Sequence, residues 1–152
     1  MNIDSWDITF LKIADLISEH SKCAKHKVGA VLVKDKRILS CGYNGTPSGA
    51  ENCCDIFNGK DFSDESVREE HHDFAVKNEV HAEQNAIAFA AKSGINIDGS
   101  TIYVNLQPCY ECSKLIVVAG IKRAVFSKKY NRADGSVDFL RKSGVDVEFI
   151  EI

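Results

Sequence analysis

Apolar residues recur with two different periods along this chain, and the change of period predicts an alternation of helices and strands. From Asp4 or Ser5 to about Ser21 the spacing is that of a helix with one buried face. The residues of this face lie at positions i, i+3, i+4 and i+7 and are Phe10, Ile13, Ala14 and Ile17. Asp4 or Ser5 is a suitable N-cap. The first element is therefore predicted to be an amphipathic helix.

The next apolar runs are short and rich in β-branched residues, which is typical of strands. They cover residues 28–33 and 38–41 and are separated by the turn sequence Lys34-Asp35-Lys36-Arg37. The two runs are predicted to form a β-hairpin. Within this hairpin Cys41 is interpreted as a core thiol.

Residues 42–78 show no clear period. Turn-forming residues fill 42–49, and an acidic stretch at 61–73 contains His71-His72. This segment is predicted to be a long loop without regular structure. Long loops in small domains usually have a function or are cross-linked.

Helical and β patterns alternate in the remainder of the chain. Helices are predicted at 81–92, 108–119 and 136–143, and strands at 101–106, 123–127 and 146–150. The whole order, α-β-β-α-β-α-β-α-β, predicts an α/β fold, a three-layer α-β-α sandwich around one mixed five-stranded sheet. In such sheets, ligands lie beyond the strand ends where helices begin.

Composition limits the size and class of the protein. A length of 152 residues with 44% apolar content suits one domain covering 1–152. No apolar run approaches the length of a membrane span, and the start Met1-Asn2-Ile3-Asp4 does not resemble a signal peptide. We expect a cytoplasmic location, or the host cytoplasm if the chain is viral. The six cysteines are then expected to be metal ligands or free thiols.

The distribution of charge adds a restriction on partners. The net charge of −3 argues against a nucleic-acid polymer as the main partner. Basic residues nevertheless cluster at 22–37 and 122–132. These clusters are either solvated surfaces or contributors to a small phosphate site.

Three potential zinc ligands lie at two predicted helix starts, one at His81 and one at Pro108. Cys109 and Cys112 are one helical turn apart. Histidine and cysteine suit tetrahedral Zn²⁺, and three protein ligands leave a fourth position open, as in a catalytic site. Glu83, two positions after His81, is predicted to be the catalytic acid and base that moves the proton of an attacking water.

Each part of this pattern has a simpler explanation when taken alone. A C-x-x-C sequence can be a redox pair or half of a structural zinc site, and a single histidine is usually an ordinary core or surface residue. Taken together, H-x-E followed by P-C-x-x-C resembles the signature of zinc deaminases. The catalytic-zinc hypothesis is therefore favoured.

Beyond this signature the chain resembles the deoxycytidylate (dCMP) deaminase family, within the cytidine deaminase fold, over nearly its whole length. The segments that carry the resemblance are Lys27-Val28-Gly29-Ala30-Val31, Gly42-Tyr43-Asn44-Gly45 with Pro47 and Gly49, His81-Ala82-Glu83 with Asn85-Ala86-Ile87, and Pro108-Cys109 to Cys112 with Ala119-Gly120-Ile121. Ser21-Lys22-Cys23 and Asn52-Cys53-Cys54 are similar to the phage-type branch.

The resemblance implies hydrolytic deamination of dCMP to dUMP and ammonia, which feeds thymidylate synthesis. It places Asn44 on the deoxyribose hydroxyl, and backbone N–H groups near Ala82 are candidates to hold the pyrimidine. The 5′-phosphate needs cationic or hydroxyl donors. The candidates are Lys27, Tyr130 and Arg132, each of which could instead be an ordinary exposed side chain.

Regulation is also implied by the resemblance. Members of the family are commonly homohexamers that dCTP activates and dTTP inhibits, with Mg²⁺ accompanying the triphosphate. The loop at 42–49, including Gly42, Asn44 and Gly45, is then expected to contact both substrate and effector. This requires that each triphosphate bind one of two conformations better.

A second, structural zinc site is predicted from ligands outside the catalytic motif, namely Cys23, Cys53, His71 and Glu79. The loop at 42–78 has few large apolar residues, so burial alone would not offset an ordering entropy of about 1–2 kcal/mol per residue. A metal cross-link would supply the missing stabilisation, and the phage-type resemblance adds a structural zinc there. Cys54 or His72 could replace a neighbour. The alternatives are a Cys53–Cys54 bridge, or reduced thiols beside a surface histidine.

Two other functions stay open at this point. The same zinc chemistry could act on another cytosine nucleotide or nucleoside, or on a tRNA adenosine, although the net charge does not favour a nucleic-acid substrate. Alternatively, the chain could be a non-catalytic zinc module that binds nucleotides. Glu83 argues against the second alternative, because a purely structural site is normally closed by a fourth protein ligand and needs no free carboxylate.

Overall fold

A computed structural model of the protein describes residues 4–152. Residues 1–3, which belong to the predicted domain and to the polar start of the chain, lie outside the described residues. The helices are α1 (Ser5–Ser18), α2 (Cys53–Ile56), α3 (Glu65–Asn78), α4 (Ala82–Lys92), α5 (Tyr110–Val118) and α6 (Ser136–Lys142). The strands are β1 (Gly29–Lys34), β2 (Arg37–Tyr43), β3 (Thr101–Val104), β4 (Arg123–Phe126) and β5 (Asp146–Phe149).

The five strands form one mixed sheet in the order β2-β1-β3-β4-β5. β1 is antiparallel to both β2 and β3, whereas β3, β4 and β5 run parallel to one another. The predicted hairpin is confirmed. Its turn residues Asp35 and Lys36 have φ angles of 51° and 59°, as a two-residue type I′ turn requires.

Helices cover both faces of this sheet. On one face Leu11 and Ala14 of α1 pack against Val31 of β1. The alternate β1 residues Ala30 and Leu32 point to the opposite face, into a second buried cluster that includes side chains of α4, α5 and α6. This arrangement confirms the predicted α-β-α sandwich. Within residues 4–152 no helix combines the length and the apolar character needed to cross a membrane.

The prediction of an unstructured segment at 42–78 was wrong, because the segment contains α2 and the 14-residue helix α3. α3 is polar around most of its circumference and His71 is its one buried residue, so it lacks the apolar stripe by which a helix is recognised in a sequence. Asp64 caps it by accepting the N–H of Ser66 at 2.9 Å. On the buried side the rings of Phe57 and His71 meet edge to face at 5.0 Å.

Several smaller expectations also need correction. α1 ends at Ser18 and not near Ser21, so Cys23 lies in the loop that follows the helix. α5 begins at Tyr110, which leaves Pro108 just outside the helix. Cys41 is exposed, so its interpretation as a core thiol was wrong. It lies on the edge strand β2 and faces away from α4, whereas its neighbours Ser40 and Gly42 are buried.

Candidate active site and second metal centre

Three side chains at the starts of α4 and α5 form the first cluster of potential metal ligands. His81 is the N-cap residue of α4, and Cys109 is the N-cap residue of α5, with Cys112 one turn further on. The Nδ1 atom of His81 lies 3.2 Å from Sγ of Cys112 and 3.5 Å from Sγ of Cys109. All three ligand atoms lie within 4.8 Å of one another. The two helix starts therefore bring together residues that are 28 and 31 positions apart in the sequence.

These separations fit a tetrahedral zinc ion. With Zn–N near 2.0–2.1 Å and Zn–S near 2.3 Å, the nitrogen and sulfur ligands of one ion are expected about 3.6 Å apart. The observed distances of 3.2 and 3.5 Å are close to this value. With three protein ligands, one coordination position stays available for water or substrate, as in catalytic zinc sites.

The electrostatics of this cluster favour a thiolate. Hydrogen bonds from the Cys112 thiol and from His81 lower the pKa of the Cys109 thiol to about 4. The backbone N–H of Cys112 also points at Sγ of Cys109, at 3.5 Å. At neutral pH the cluster therefore offers a deprotonated sulfur, the form that binds metal.

Glu83, in the first turn of α4, is 4% exposed and lies beside the cluster. Its Oε2 atom lies 3.6 Å from Sγ of Cys112. Burial raises the pKa of the Glu83 carboxyl, because a charged carboxylate is poorly solvated there. A carboxyl group beside the ligand cluster can both accept and return a proton.

A second cluster is formed by Cys23, Cys53, His71 and Glu79, whose ligand atoms also lie within 4.8 Å of one another. Sγ of Cys23 is 3.6 Å from Nε2 of His71, the separation expected for two ligands of one zinc ion. Backbone N–H groups point at both sulfurs, from Ala24 to Cys53 at 3.3 Å and from His26 to Cys23 at 3.4 Å. The cluster thus offers four potential protein ligands, the number found in closed structural sites.

One oxygen atom of this second cluster has no hydrogen-bond partner, and a bound cation would be a suitable partner for it. Oε1 of Glu79 is buried and accepts no hydrogen bond from any residue in the range 4–152. Burial raises the pKa of both the Cys23 and the Cys53 thiols, so a bound metal would be needed to keep them deprotonated. An unpaired buried carboxylate oxygen beside two buried thiols fits a metal site well.

The neighbours proposed as substitutes do not belong to this cluster. Cys54 is half-buried and its sulfur points at Asp55, 3.9 Å away. His72 is exposed, and its Nδ1 atom lies 3.0 Å from Nη1 of Arg132. Cys53 and Cys54 are both free thiols.

A cavity of about 250 Å³ opens onto the first cluster. Its lining includes His81, Glu83 and Cys109, and the predicted substrate residues Asn44, Ala82, Tyr130 and Arg132. Lys27, the remaining predicted phosphate ligand, is exposed and lies outside this lining. The catalytic candidates and most of the substrate candidates therefore share one cavity.

Lys25, His26 and Gln107 also line the cavity, although the sequence does not single them out as site residues. Lys25 belongs to the basic cluster at 22–37, but nothing in the spacing of that cluster separates it from Lys27. The side chain of Asn44 holds this loop in place. It accepts a hydrogen bond from the N–H of Val28 and donates one to the carbonyl of His26, both at 2.9 Å. These bonds fix the path of the loop and so determine which side chain faces the cavity.

The two glycines predicted to contact an effector have structural roles in the fold. A Cβ atom on Gly42 would lie 2.6 Å from the carbonyl oxygen of Ala82 and from the backbone N of Ala86, so glycine allows β2 to pack tightly on α4. Gly45 exchanges two backbone hydrogen bonds with Val80, at 3.0 and 2.8 Å.

The sandwich fold, the open three-ligand cluster and the buried glutamate together define a zinc-binding deaminase. Residues 4–128 match the family described as the cytidine and deoxycytidylate deaminase zinc-binding region. The chain belongs to this family and, as a deaminase, is a hydrolase.

Phage enzymes are among the individual relatives of this chain. The deoxycytidylate deaminase of enterobacteria phage T4 is 41% identical, covering 91% of this chain and 86% of the relative. That of mycobacterium phage D29 is 38% identical, covering 85% of this chain and 99% of the relative. The crystal structure of dCMP deaminase from cyanophage S-TIM5 in complex with dCMP and dUMP is 36% identical with a TM-score of 0.80, covering 99% of this chain and all of that one.

Proposed function

We propose that residues 1–152 form a single domain that converts dCMP and water to dUMP and ammonia, and so supplies the precursor for thymidylate synthesis. The observation that carries this proposal is the position of Glu83, buried beside an open three-ligand cluster in a cavity that also contains cationic side chains. The similarity to phage deoxycytidylate deaminases supports the choice of substrate.

In this mechanism His81, Cys109 and Cys112 hold the catalytic zinc. When bound, the ion supplies Lewis acidity that lowers the pKa of water. Glu83 takes a proton from the attacking water and delivers it to N3 of the pyrimidine, and it later carries a proton to the amino group on C4. The water oxygen forms the new bond to C4, the C4–N bond breaks, and ammonia leaves. Because Glu83 is buried, it performs these transfers away from bulk solvent.

Recognition of the 5′-phosphate is assigned to Lys25, Arg132 and Tyr130. Burial and the nearby charge of Arg132 both lower the pKa of Lys25, so the two cations repel each other across the cavity. Among residues 4–152 neither Lys25 nor Arg132 forms an ion pair. A phosphate dianion between them would relieve this repulsion and accept charge-assisted hydrogen bonds. Lys27 stays a weaker candidate because it is exposed outside the cavity lining.

The nucleoside part of the substrate is assigned to Asn44 and Ala82, both in the cavity lining. The Asn44 amide already makes two hydrogen bonds to the loop at 26–28. It keeps one N–H and one acceptor lone pair for the deoxyribose hydroxyl. Ala82 is the first residue of α4, so its backbone N–H is not used within the helix and is free to bind the pyrimidine.

The second cluster is proposed to hold a structural zinc ion. Support comes from its four protein ligands and from the unpaired buried oxygen of Glu79. Such an ion would join the loop after α1 to α2 and α3, whose other contacts are few apolar side chains around Phe57. Metal binding would therefore contribute directly to folding of this region.

We also propose that nucleoside triphosphates regulate the deaminase activity. dCTP with Mg²⁺ is expected to activate a homohexamer and dTTP to inhibit it, through the loop at 42–49. The structural argument is that Gly42 packs directly on α4, the helix that presents His81 and Glu83. A displacement of this loop by an effector would reach the first turn of α4 without any intermediate element.

The experiment that tests the reaction is a direct assay with purified protein. The absorbance change at 280–290 nm should appear with dCMP and disappear after incubation with a chelator, while dCTP, cytidine and deoxycytidine react more slowly. Faster turnover of cytidine or deoxycytidine than of dCMP would assign the same chemistry to a nucleoside. Nucleotide binding without turnover of any of the four would contradict catalysis.

A further inference from the structure

Gln107 connects the metal-ligand turn to the loop that forms one wall of the cavity. It lies between β3 and Cys109, and its side-chain amide makes three hydrogen bonds. Its Nε2 atom donates to the carbonyl of Ala133 at 2.9 Å and to Oγ of Ser136 at 3.0 Å, while its Oε1 atom accepts the N–H of Tyr130 at 3.3 Å. Its backbone N–H donates to the carbonyl of Lys128 at 2.8 Å. These four bonds all reach the segment 128–136.

This segment carries the two side chains assigned above to the phosphate. Tyr130 and Arg132 belong to it and line the cavity, and Arg132 also contacts His72 of α3. Inside the loop the single 3-10 turn at Asn131–Ala133 gives little stiffness of its own. Ala133 and Ser136, the two groups to which Gln107 donates, are fully buried. The loop is therefore held from its buried side by Gln107.

A glutamine is well suited to this connection. Its carboxamide offers two donors and an acceptor in one plane, and here both donors and one acceptor position are used on three different residues of the loop. Because Gln107 is two residues before Cys109, any shift of the loop relative to Gln107 is also a shift relative to the metal ligands. Asparagine would be one methylene too short to reach all three partners.

We propose that Gln107 is a positioning residue that sets the distance between the phosphate-binding loop and the catalytic cluster, and thereby determines the affinity for the 5′-phosphorylated substrate. The inference rests on the proposed deamination of dCMP. Gln107 acts through Tyr130 and Arg132 and takes no part in proton transfer. Its loss should affect KM more than kcat, because the metal ligands and Glu83 keep their own supports in α4 and α5.

The test compares kcat and KM for dCMP in the wild-type enzyme and in Gln107→Met, which keeps the volume and removes all three side-chain hydrogen bonds. KM should rise about tenfold or more, with kcat changed less than about threefold and zinc content unchanged. Ser136→Ala removes one of the three bonds and should raise KM by a smaller factor. This milder variant tests the inference even if Gln107→Met does not fold. Lys142→Met, at an exposed position near the end of α6 and outside this loop, is the control and should leave KM within about twofold.

A double-variant comparison separates positioning from direct contact. In a Tyr130→Phe, Arg132→Ala background, Gln107→Met should raise KM by less than about twofold, because the groups it positions are already gone. An equal KM increase in both backgrounds, or a loss confined to kcat, would overturn the inference. Wild-type protein that does not deaminate dCMP would instead overturn the proposed function, so the two failures are distinguishable.

Discussion

The buried carboxyl of Glu83 lies next to the first ligand cluster without being part of it. Glu83→Gln keeps the size of the side chain and one oxygen but cannot accept or return a proton. We expect kcat for dCMP to fall at least about 10²–10⁴-fold, the usual contribution of an acid–base group. Zinc content, measured by atomic spectroscopy, should stay at the wild-type value.

A neighbouring glutamate provides the control. Glu111 lies between the two cysteines in sequence but is exposed and pairs with Lys114 at the surface, at 2.9 Å. Glu111→Gln should leave kcat nearly unchanged. Turnover of Glu83→Gln within tenfold of the wild type would contradict the assignment of Glu83 as the proton carrier.

Asp7 is a second buried carboxylate, with a structural role far from the cavity lining. It is 2% exposed, and Arg123 binds it through two N–H···O bonds of 2.7 and 2.8 Å while the hydroxyl of Tyr103 donates to it at 2.7 Å. Asp7→Asn should lower the free energy of unfolding by about 2–4 kcal/mol, because Arg123 loses its charged partner. Urea denaturation measures this change.

The same carboxylate makes stability depend on acid pH. The hydrogen bond with Arg123, opposed in part by burial, lowers the pKa of Asp7 in the folded state. The stabilisation is therefore fully present above the unfolded pKa of about 3.9 and is lost as pH falls through the lower folded value. The difference between wild type and Asp7→Asn should shrink below about pH 4. The exposed Asp138 makes no ion pair within residues 4–152 and lies in the first turn of α6, so Asp138→Asn should lose only a helix-dipole interaction, less than about 1 kcal/mol. An Asp7 variant as stable as the wild type at pH 7 would contradict the role of this ion pair.

At the scale of single elements, the sequence predicted the strands and most helices because each has a regular period. The hairpin at β1 and β2 and the helices α1, α4, α5 and α6 were all found in this way. α3 was missed because its polar sequence has no apolar stripe and its buried position is a histidine. The residues that identify its buried side, Cys23 and Cys53, are distant in sequence and contact it only in the folded chain.

The second cluster predicts how α3 is stabilised. Protein purified from cells grown without added metal should contain close to two zinc ions per chain, and the Cys53→Ala variant should contain one. The variant should also show faster amide hydrogen exchange over residues 65–78, because these residues would lose the metal link to Cys23 and Cys53.

The adjacent cysteine gives a matched control for this experiment. Cys54 is half-buried and lies outside the ligand cluster, so Cys54→Ala should keep two zinc ions and the wild-type exchange rates. A reproducible value of one zinc per chain in fully active wild-type protein would contradict the second site.

At the scale of the whole molecule, the predicted metal ligands are grouped as expected, whereas the cavity wall was anticipated only in part. Local helix geometry sets the spacing of Cys109 and Cys112 at the start of α5, and that of His81 and Glu83 at the start of α4, so each sequence motif is informative about its own half of the site. The choice of Lys25 over Lys27 depends on a long-range contact from Asn44. Such contacts have no periodic signal, because they arise from the packing of segments that are far apart in the chain.

The proposed regulation by dCTP and dTTP is a property of the assembled protein. If the loop at 42–49 couples an effector site to α4, dCTP with Mg²⁺ should lower the dCMP concentration at half-maximal rate, and dTTP should raise it. A severalfold change in each direction corresponds to a coupling free energy of about 1–3 kcal/mol. The measurement is initial rate against dCMP concentration with each triphosphate, together with the mass of the assembly by light scattering. Because Gly42 packs directly on α4, Gly42→Ala should reduce both effector responses along with stability. Hyperbolic kinetics that neither triphosphate alters, in the presence of Mg²⁺, would contradict the coupling.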